Sequence, residues 1–573
     1  MRKSIKILAL TLVLIYVFSA CGSSGGSGGG ATTGGGASTG GGAATGGGAT
    51  SSGGAATGGG SSSGAGAAAG GGSGAPVNAD VKSTKDTLVM RMQSDPGHVD
   101  LALGNITESI QIMSLIANRL LDATYDENKV WSTAPRERYS LATGYDFDDD
   151  SMGMTWHLRE GVKFHNGDDF DAEDVVYSIQ RYSTNASWYW CDFPNIKVVD
   201  TYTFHVPFTE PFSRAYSSIG GIVIISKETL EKDPTNPLHF SKNYVGTGAW
   251  KIANWIDGDS ITLKAFDGYF GGKAKIENIV IRFIPDAAVA MMELETGGVD
   301  LVDVPSWPSV KSVMDGNYEG QIKYTGTTDN YLLHLWFNCS ENSPFKNFKV
   351  RQAAMYAMNR EDIAYGAFEG IAILANTIPS IVADDLVDFS GDKWPYPQDI
   401  GKAKALLAEA GYPNGFDAKI INYGDQNDVL ANQILKNQLS AIGINLTIEQ
   451  FDTATWISIM TTQPSDWDLC FRLLGGPGSW LGMMWNTNRQ WTHVTVESDP
   501  AFAELYTLAR EGQKILDYDK RAEVHYEIQN RYFQEWLYST PIIQKMLYIL
   551  YADNLQGVLR YGYYWSMLDA YFD

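Results

Sequence analysis

Thr155–Arg181 reads TWHLREGVKFHNGDDFDAEDVVYSIQR. Its apolar residues Trp156, Leu158, Val162 and Phe164 are spaced as in two short strands, with Arg159-Glu160-Gly161 between them and His165-Asn166-Gly167 supplying turn chemistry. A helix then starts. Asp171 is placed as an N-cap whose carboxylate accepts from orphan backbone N–H groups. Glu173 and Asp174 suit the positive end of the helix dipole, and Phe170 is set to staple onto Val175. Val175, Ile179 and Tyr182 line one face. The stretch is therefore expected to form a hairpin and a capped amphipathic helix, and by itself it specifies no chemistry.

Working outward, 573 residues exceed one ordinary core, which predicts two or more lobes. A formal charge of -23 argues against nucleic acid or anionic lipid held through a basic patch. Residues 1–20 read as a signal peptide: Arg2, Lys3 and Lys6, an apolar run from Ile7 to Phe18 too short for a comfortable membrane span, then small residues. Phe18-Ser19-Ala20-Cys21 resembles a lipobox, which implies a diacylated Cys21 at the mature N-terminus; ordinary cleavage with release is the alternative. From Gly22 to Ala75 only Gly, Ser, Ala and Thr occur. Such a segment buries no core and is expected to be a disordered tether with a root-mean-square span on the order of 40 Å. Cys191, Cys339 and Cys470 are widely spaced, carry no zinc pattern and are expected as buried free thiols.

The opening stretch also resembles the signature of family 5 extracellular solute-binding proteins, the oligopeptide, dipeptide and nickel receptors of ABC importers. Trp156, Leu158, Arg159, Val162, Phe164, Gly167, Ala172, Asp174, Val175, Tyr177 and Ser178 carry the match, while His157 stands where an apolar residue is usual. Further elements follow in the family's order: Val245–Ile252 (VGTGAWKI), Leu263–Gly272, Ile276–Pro285, Met292–Val302, the block Leu335–Gly370, and Trp467-Asp468-Leu469. The resemblance implies an α/β, type II periplasmic-binding-protein-like fold with two lobes, an additional domain and a hinge. The implied division is lobe I at 83–117, 205–326 and 541–573, the additional domain at 118–204, and lobe II at 327–540, with the tether at 21–82. The hinge is expected near 326–330 and 540–542.

Periodicity adds detail. Ile110–Leu121 is an expected helix with Ile112, Leu115, Ile116, Arg119 and Leu120 at helical intervals, and Val198–Val206 and Ile222–Ile225 are expected strands. A βαβ unit is expected from strand Ala418–Tyr423, helix Asp428–Ile442 and strand Ile444–Glu449, preceded by a helix capped at Asp399. Asp146, Asp148, Asp149 and Asp150 lack the glycine and glutamate of a calcium loop and read as a solvated hairpin turn.

No H-E-x-x-H, G-x-S-x-G or clustered metal-ligand spacing is present, so no catalytic residue, cofactor or metal is expected. Peptide-binding relatives place an aspartate for the ligand's amine shortly after the aromatic-Asp-Leu strand, where this chain has Gly475-Gly476-Pro477-Gly478. Aromatic and thioether residues follow: Trp480, Met483, Met484, Trp485 and Trp491. With Arg472, Tyr331, Trp336, Trp188 and Trp190 these are the candidate ligand residues, each weighed against a role in the core. The expected function is a monomeric, lipid-anchored receptor outside the cytoplasm. It would capture a peptide-like solute in the interlobe cleft and deliver it to an ABC importer permease, without nucleic acid. The same role for an oligosaccharide is the alternative; an exported glycan hydrolase and a surface adhesin are less favoured.

Overall fold

Two long strands, Ile322–Phe337 and Ser539–Ala552, organise the molecule. Both are rich in β-branched, aromatic and other apolar residues. They pair antiparallel from Ile322 opposite Ala552 to Trp336 opposite Ser539, with register breaks between Thr328 and Leu332 and between Leu333 and His334. The computed structural model describes residues 86–573 apart from 102–106, 126–130, 135, 184–187, 233–241, 379–386, 424–425, 463–464 and 476–491. The leader, Cys21 and the tether lie outside the described residues.

Around the long pair an 11-stranded sheet forms. On one side follow Leu301–Asp303, Thr87–Met92, Asn278–Phe283, Ser260–Ala265 and Trp250–Ile256; on the other, Leu469–Gly475, Phe416–Asn422 and Ile444–Gln450; the short Ile373–Leu374 pairs with Ser539–Ala552 off this path. In the first half both faces are covered. Leu88, Met90, Ile279 and Ile281 enter one core, while the alternate residues Val89 and Val280 enter another with Val302 and Leu550. The second half packs around Trp336, Phe345, Trp456, Leu505 and Trp536. These halves are the two lobes. The expected βαβ unit is present, with helix Gln426–Ser440 joining parallel strands, and Asp399 caps the helix Ile400–Glu409.

A separate four-stranded antiparallel sheet, Ala142–Phe147, Gly153–Leu158, Thr203–Pro207 and Lys197–Asp200, carries a core outside those of the two lobes, the third core below, with Trp156, Trp190, Phe204 and Ile219. Asp171 caps the helix Ala172–Gln180 as its sequence predicts, accepting from the N–H groups of Glu173 at 2.8 Å and Asp174 at 3.3 Å, and the Asp174 carboxylate returns a bond to the Asp171 N–H.

Four expectations are corrected. The hairpin expected within 155–164 does not form: Gly153–Leu158 pairs instead with Ala142–Phe147 and Thr203–Pro207. Val162 and Phe164 are buried in a turn segment with a single bridge, Lys163 to Asp169, because Phe164 and Gly167 close their hydrogen bonds locally. Ile222–Ile225 alternates without being a strand. Ile222 and Ile224 serve the third core, Val223 and Ile225 the first lobe's. The 204/205 division cuts the strand Thr203–Pro207, whose Phe204 and Val206 share the third core, so that core extends further along the chain. The helix expected at Ile110–Leu121 spans Thr107–Ile116, and the reason leads to the candidate site.

Candidate functional site

The helix Thr107–Ile116 stops where the VGTGAW segment meets its end. The N–H of Gly248 donates to the Ile116 carbonyl at 3.0 Å, and a Cβ on Gly246 or Gly248 would drive into the backbone of Ile116. Thr247 completes the cap, its hydroxyl accepting from the Asn118 N–H at 3.2 Å and donating to the Asn118 side chain at 3.1 Å. Behind this loop His165 is half-buried. Its Nε2–H donates to the Gly248 carbonyl at 3.0 Å, while its Nδ1 accepts from the Gly246 N–H at 3.3 Å. Those partners suit the neutral ring, and burial holds its pKa down to about 4. The glycines therefore serve close packing.

Freed from the helix, the chain bridges at Arg119 to Ser140 on one side and Val223 on the other. The Arg119 guanidinium lies 3.5 Å from the centre of the Tyr564 ring, and both residues line two neighbouring cavities, one of about 200 Å³ and one of about 50 Å³. Leu101, Ile110, Tyr182 and Trp188 complete most of the larger wall. Tyr182 and Trp188 stack at 5.7 Å, and burial pushes the Tyr182 phenol up to about 12, so that it stays neutral. A third, smaller cavity shares Leu101 and Tyr182 and is lined by Arg181 and Asp100, paired at 2.7 Å. The carboxylate of Asp122, beside the 50 Å³ cavity, pairs with Arg136 at 2.6 Å.

A second junction ties the additional domain to lobe II. Glu210 accepts from Arg510 at 2.6 Å and lies 3.4 Å from Lys514, Arg510 covers the Tyr189 ring, and the Ser213 N–H donates to the Gln513 carbonyl at 2.8 Å. The cations and Gln513 belong to the helix Pro500–Gln513 and its first following turn.

Of the candidate ligand residues, Trp188 reaches the cavity wall. Trp190 is fully buried, stacked on Phe212 at 4.8 Å, and Trp336 is fully buried in the lobe II core; both are scaffold, because each ring is enclosed by its own core. Arg472 stands opposite His334 in the sheet with its guanidinium 5.3 Å from the Trp456 ring, apart from these cavities. Tyr331 lies opposite Gly475 in the same ladder. Trp480, Trp485 and Trp491, with Met483 and Met484, lie outside the described residues. Cys191, Cys339 and Cys470 are free and buried. Among the described residues no group of His, Cys, Asp and Glu is arranged to hold a metal ion. The sequence reading missed Tyr564 and the role of Arg119; the available signal was an arginine inside the apolar run IMSLIANRLL.

Comparison with known proteins places this geometry. The family described as bacterial extracellular solute-binding proteins, family 5 Middle, matches residues 138–492, more than half of the chain. Heme-binding protein A of Haemophilus influenzae is 29% identical over 305 residues, 48% of this chain and 54% of that protein, so the match spans about half its length. The glutathione-binding protein GsiB of Salmonella paratyphi A is 28% identical over 468 residues, 75% of this chain and 84% of that protein. The periplasmic binding protein DppA of Helicobacter pylori, solved with the peptide STSA, superposes with a TM-score of 0.67 at 22% identity, covering 85% of this chain and 98% of that one; that likeness is one of fold.

Proposed function

Since the chain belongs to the family 5 bacterial extracellular solute-binding proteins, which are transport receptors outside the cytoplasm and not enzymes, we propose that it is the substrate-binding lipoprotein of an ABC importer and that it takes a peptide-like solute. The observation that carries this reading is the match across 84% of a glutathione-binding receptor. The solute would enter between the lobes, against the wall of Arg119, Trp188 and Tyr564. Closure about the long strands, near the register break at Thr328, would enclose it for delivery to the permease. A ligand shifts an open–closed equilibrium only through the contacts it gains in the closed state. Micromolar affinity, about -8 kcal/mol, is ample for that shift. Cys21 would carry the lipid and residues 22–75 would act as the tether.

The test is a peptide library offered to the purified full chain, with melting temperature, small-angle scattering and product analysis read together. Stabilisation with compaction and an unchanged peptide is the expected result; cleavage, or no compaction with any member, overturns the reading. Replacing Cys21 by Ala should abolish incorporation of labelled fatty acid and release the protein to the medium.

A further inference from the structure

We infer that the solute presents a carboxylate to Arg119, which seats it against the Tyr564 ring. The inference rests on the receptor reading above and narrows it to a class of ligand. Arg119 is half-buried, and among the described residues its guanidinium makes no hydrogen bond and no ion pair; it lies over the Tyr564 ring, 3.5 Å from the centroid. Stacking on a ring face leaves the planar edge, with its fork of N–H donors, open to a planar oxyanion. The carboxylates lining these cavities are already engaged, Asp100 with Arg181 and Asp122 with Arg136. Among the described residues, Arg119 is thus the cation of these walls that lacks an anion.

The site is also held in advance. The Arg119 carbonyl accepts from the Leu141 N–H at 2.9 Å, and its backbone bridges Ser140 and Val223, so the arginine's base is fixed before any ligand arrives. Leu101, Ile110 and the stacked Tyr182–Trp188 pair give the wall beside it an apolar and aromatic character. A volume of about 200 Å³ is below the 300 to 1,000 Å³ typical of a whole small-molecule site, which suits one end of a solute. The ligand class is therefore a carboxylate next to an apolar or aromatic group, as at the C-terminus of a peptide or on an acidic side chain. On a chain of charge -23 the long-range field repels anions, so a local, oriented cation must supply the selectivity.

The experiment uses the full chain and a random tripeptide library in three forms: free acids, C-terminal amides, and amides bearing one internal glutamate. Retained peptides are counted by native mass spectrometry for the wild type, Arg119→Gln and Arg119→Lys. Wild-type protein should retain acids over plain amides by about 10- to 100-fold, the range of one charge-assisted contact. Retention of the internal-glutamate amides assigns the carboxylate to a side chain, and their loss assigns it to the C-terminus. Arg119→Gln should erase the preference at an unchanged melting temperature, and Arg119→Lys should keep part of it. Equal retention of acids and amides by the wild type, no retained acid, or a folded Arg119→Gln that discriminates as before overturns the inference. Should Arg119→Gln not fold, the wild-type ratio decides. Amides retained with compaction discard this inference and keep the receptor; acids retained through Arg119 and then cleaved do the reverse.

Discussion

One small hairpin, Leu559–Tyr561 with Tyr564–Ser566, carries one arginine, Arg560, and meets another, Arg119, and the two live under opposite rules. Arg560 is 3% exposed, stands in register with Trp565, donates to the Gly562 carbonyl at 2.8 Å and pairs with the Asp303 carboxylate. Asp303 also accepts from Gln111 at 2.6 Å, and its carbonyl accepts from Arg91. Arg119, at the Tyr561–Tyr564 end of the hairpin, has the ring and a cavity. An arginine whose acceptors are built in belongs to the scaffold, since its desolvation is offset in the folded state itself. One left on a ring face at a cavity is positioned for an acceptor from outside.

The comparison breaks most sharply on stability. Asp303→Asn leaves the Arg560 charge buried without its counter-ion and should cost about 3 to 5 kcal/mol, the usual penalty for breaking a buried pair from one side. Arg119→Gln removes a half-exposed cation–ring contact and should cost no more than about 1 kcal/mol. Urea melts of the two variants check the difference. Equal losses would mean that Arg119 is scaffold too.

Acid offers a second lever, because His165 holds the glycine loop against which the helix before Arg119 ends. Its folded pKa, about 4, lies below the unfolded value of 6.5, so its contribution is fully present above pH 6.5 and is lost as the pH falls through about 4. The full span amounts to about 3 kcal/mol. Asp174 acts with the opposite sign: burial raises its pKa from 3.8 to about 7, so its contribution is present below about 4 and lost as the pH rises through about 7. The difference between each variant and wild type separates them. The stability gap for His165→Gln should narrow from pH 7 to pH 4. A constant His165→Gln gap would show that the ring is not held neutral.

These contrasts also mark what sequence alone made legible. The Asp171 cap was readable because it depends on neighbours within a few residues, and the βαβ unit because hydrophobic period and helix ends agree. Collinear motifs carried the fold. The site was less readable, since it is assembled from positions as distant as Leu101 and Tyr564. Arg119 fitted a helical period that ends at Ile116, and only the approach of Gly248 to that carbonyl shows why. Trp190 and Trp188 are near neighbours of equal aromatic character. Packing carries both into the core, and Trp188, at 8% exposure, also meets the cavity wall.

A third arginine gives the finest test. Arg510 is half-exposed and already paired with Glu210, an arrangement between the other two. Partly exposed pairs contribute at most about 1 kcal/mol, so Glu210→Gln should leave the melting temperature almost unchanged. Yet this pair joins the additional domain to lobe II and would break in the opening that the proposed closure implies. Its whole contribution would then act on the open–closed balance, where about 1 kcal/mol is about fivefold in population. Spin labels on the exposed Tyr365 and Val199 positions, with the distance distribution compared between wild type and Glu210→Gln, should show a larger open fraction in the variant. The shift should shrink in high salt, which screens the pair in the wild type. Arg119→Gln should leave the unliganded distribution unaltered, because its missing partner arrives only with the solute. A shift of equal size in both variants would place Arg119 in the closure contact and remove its distinction from Arg510.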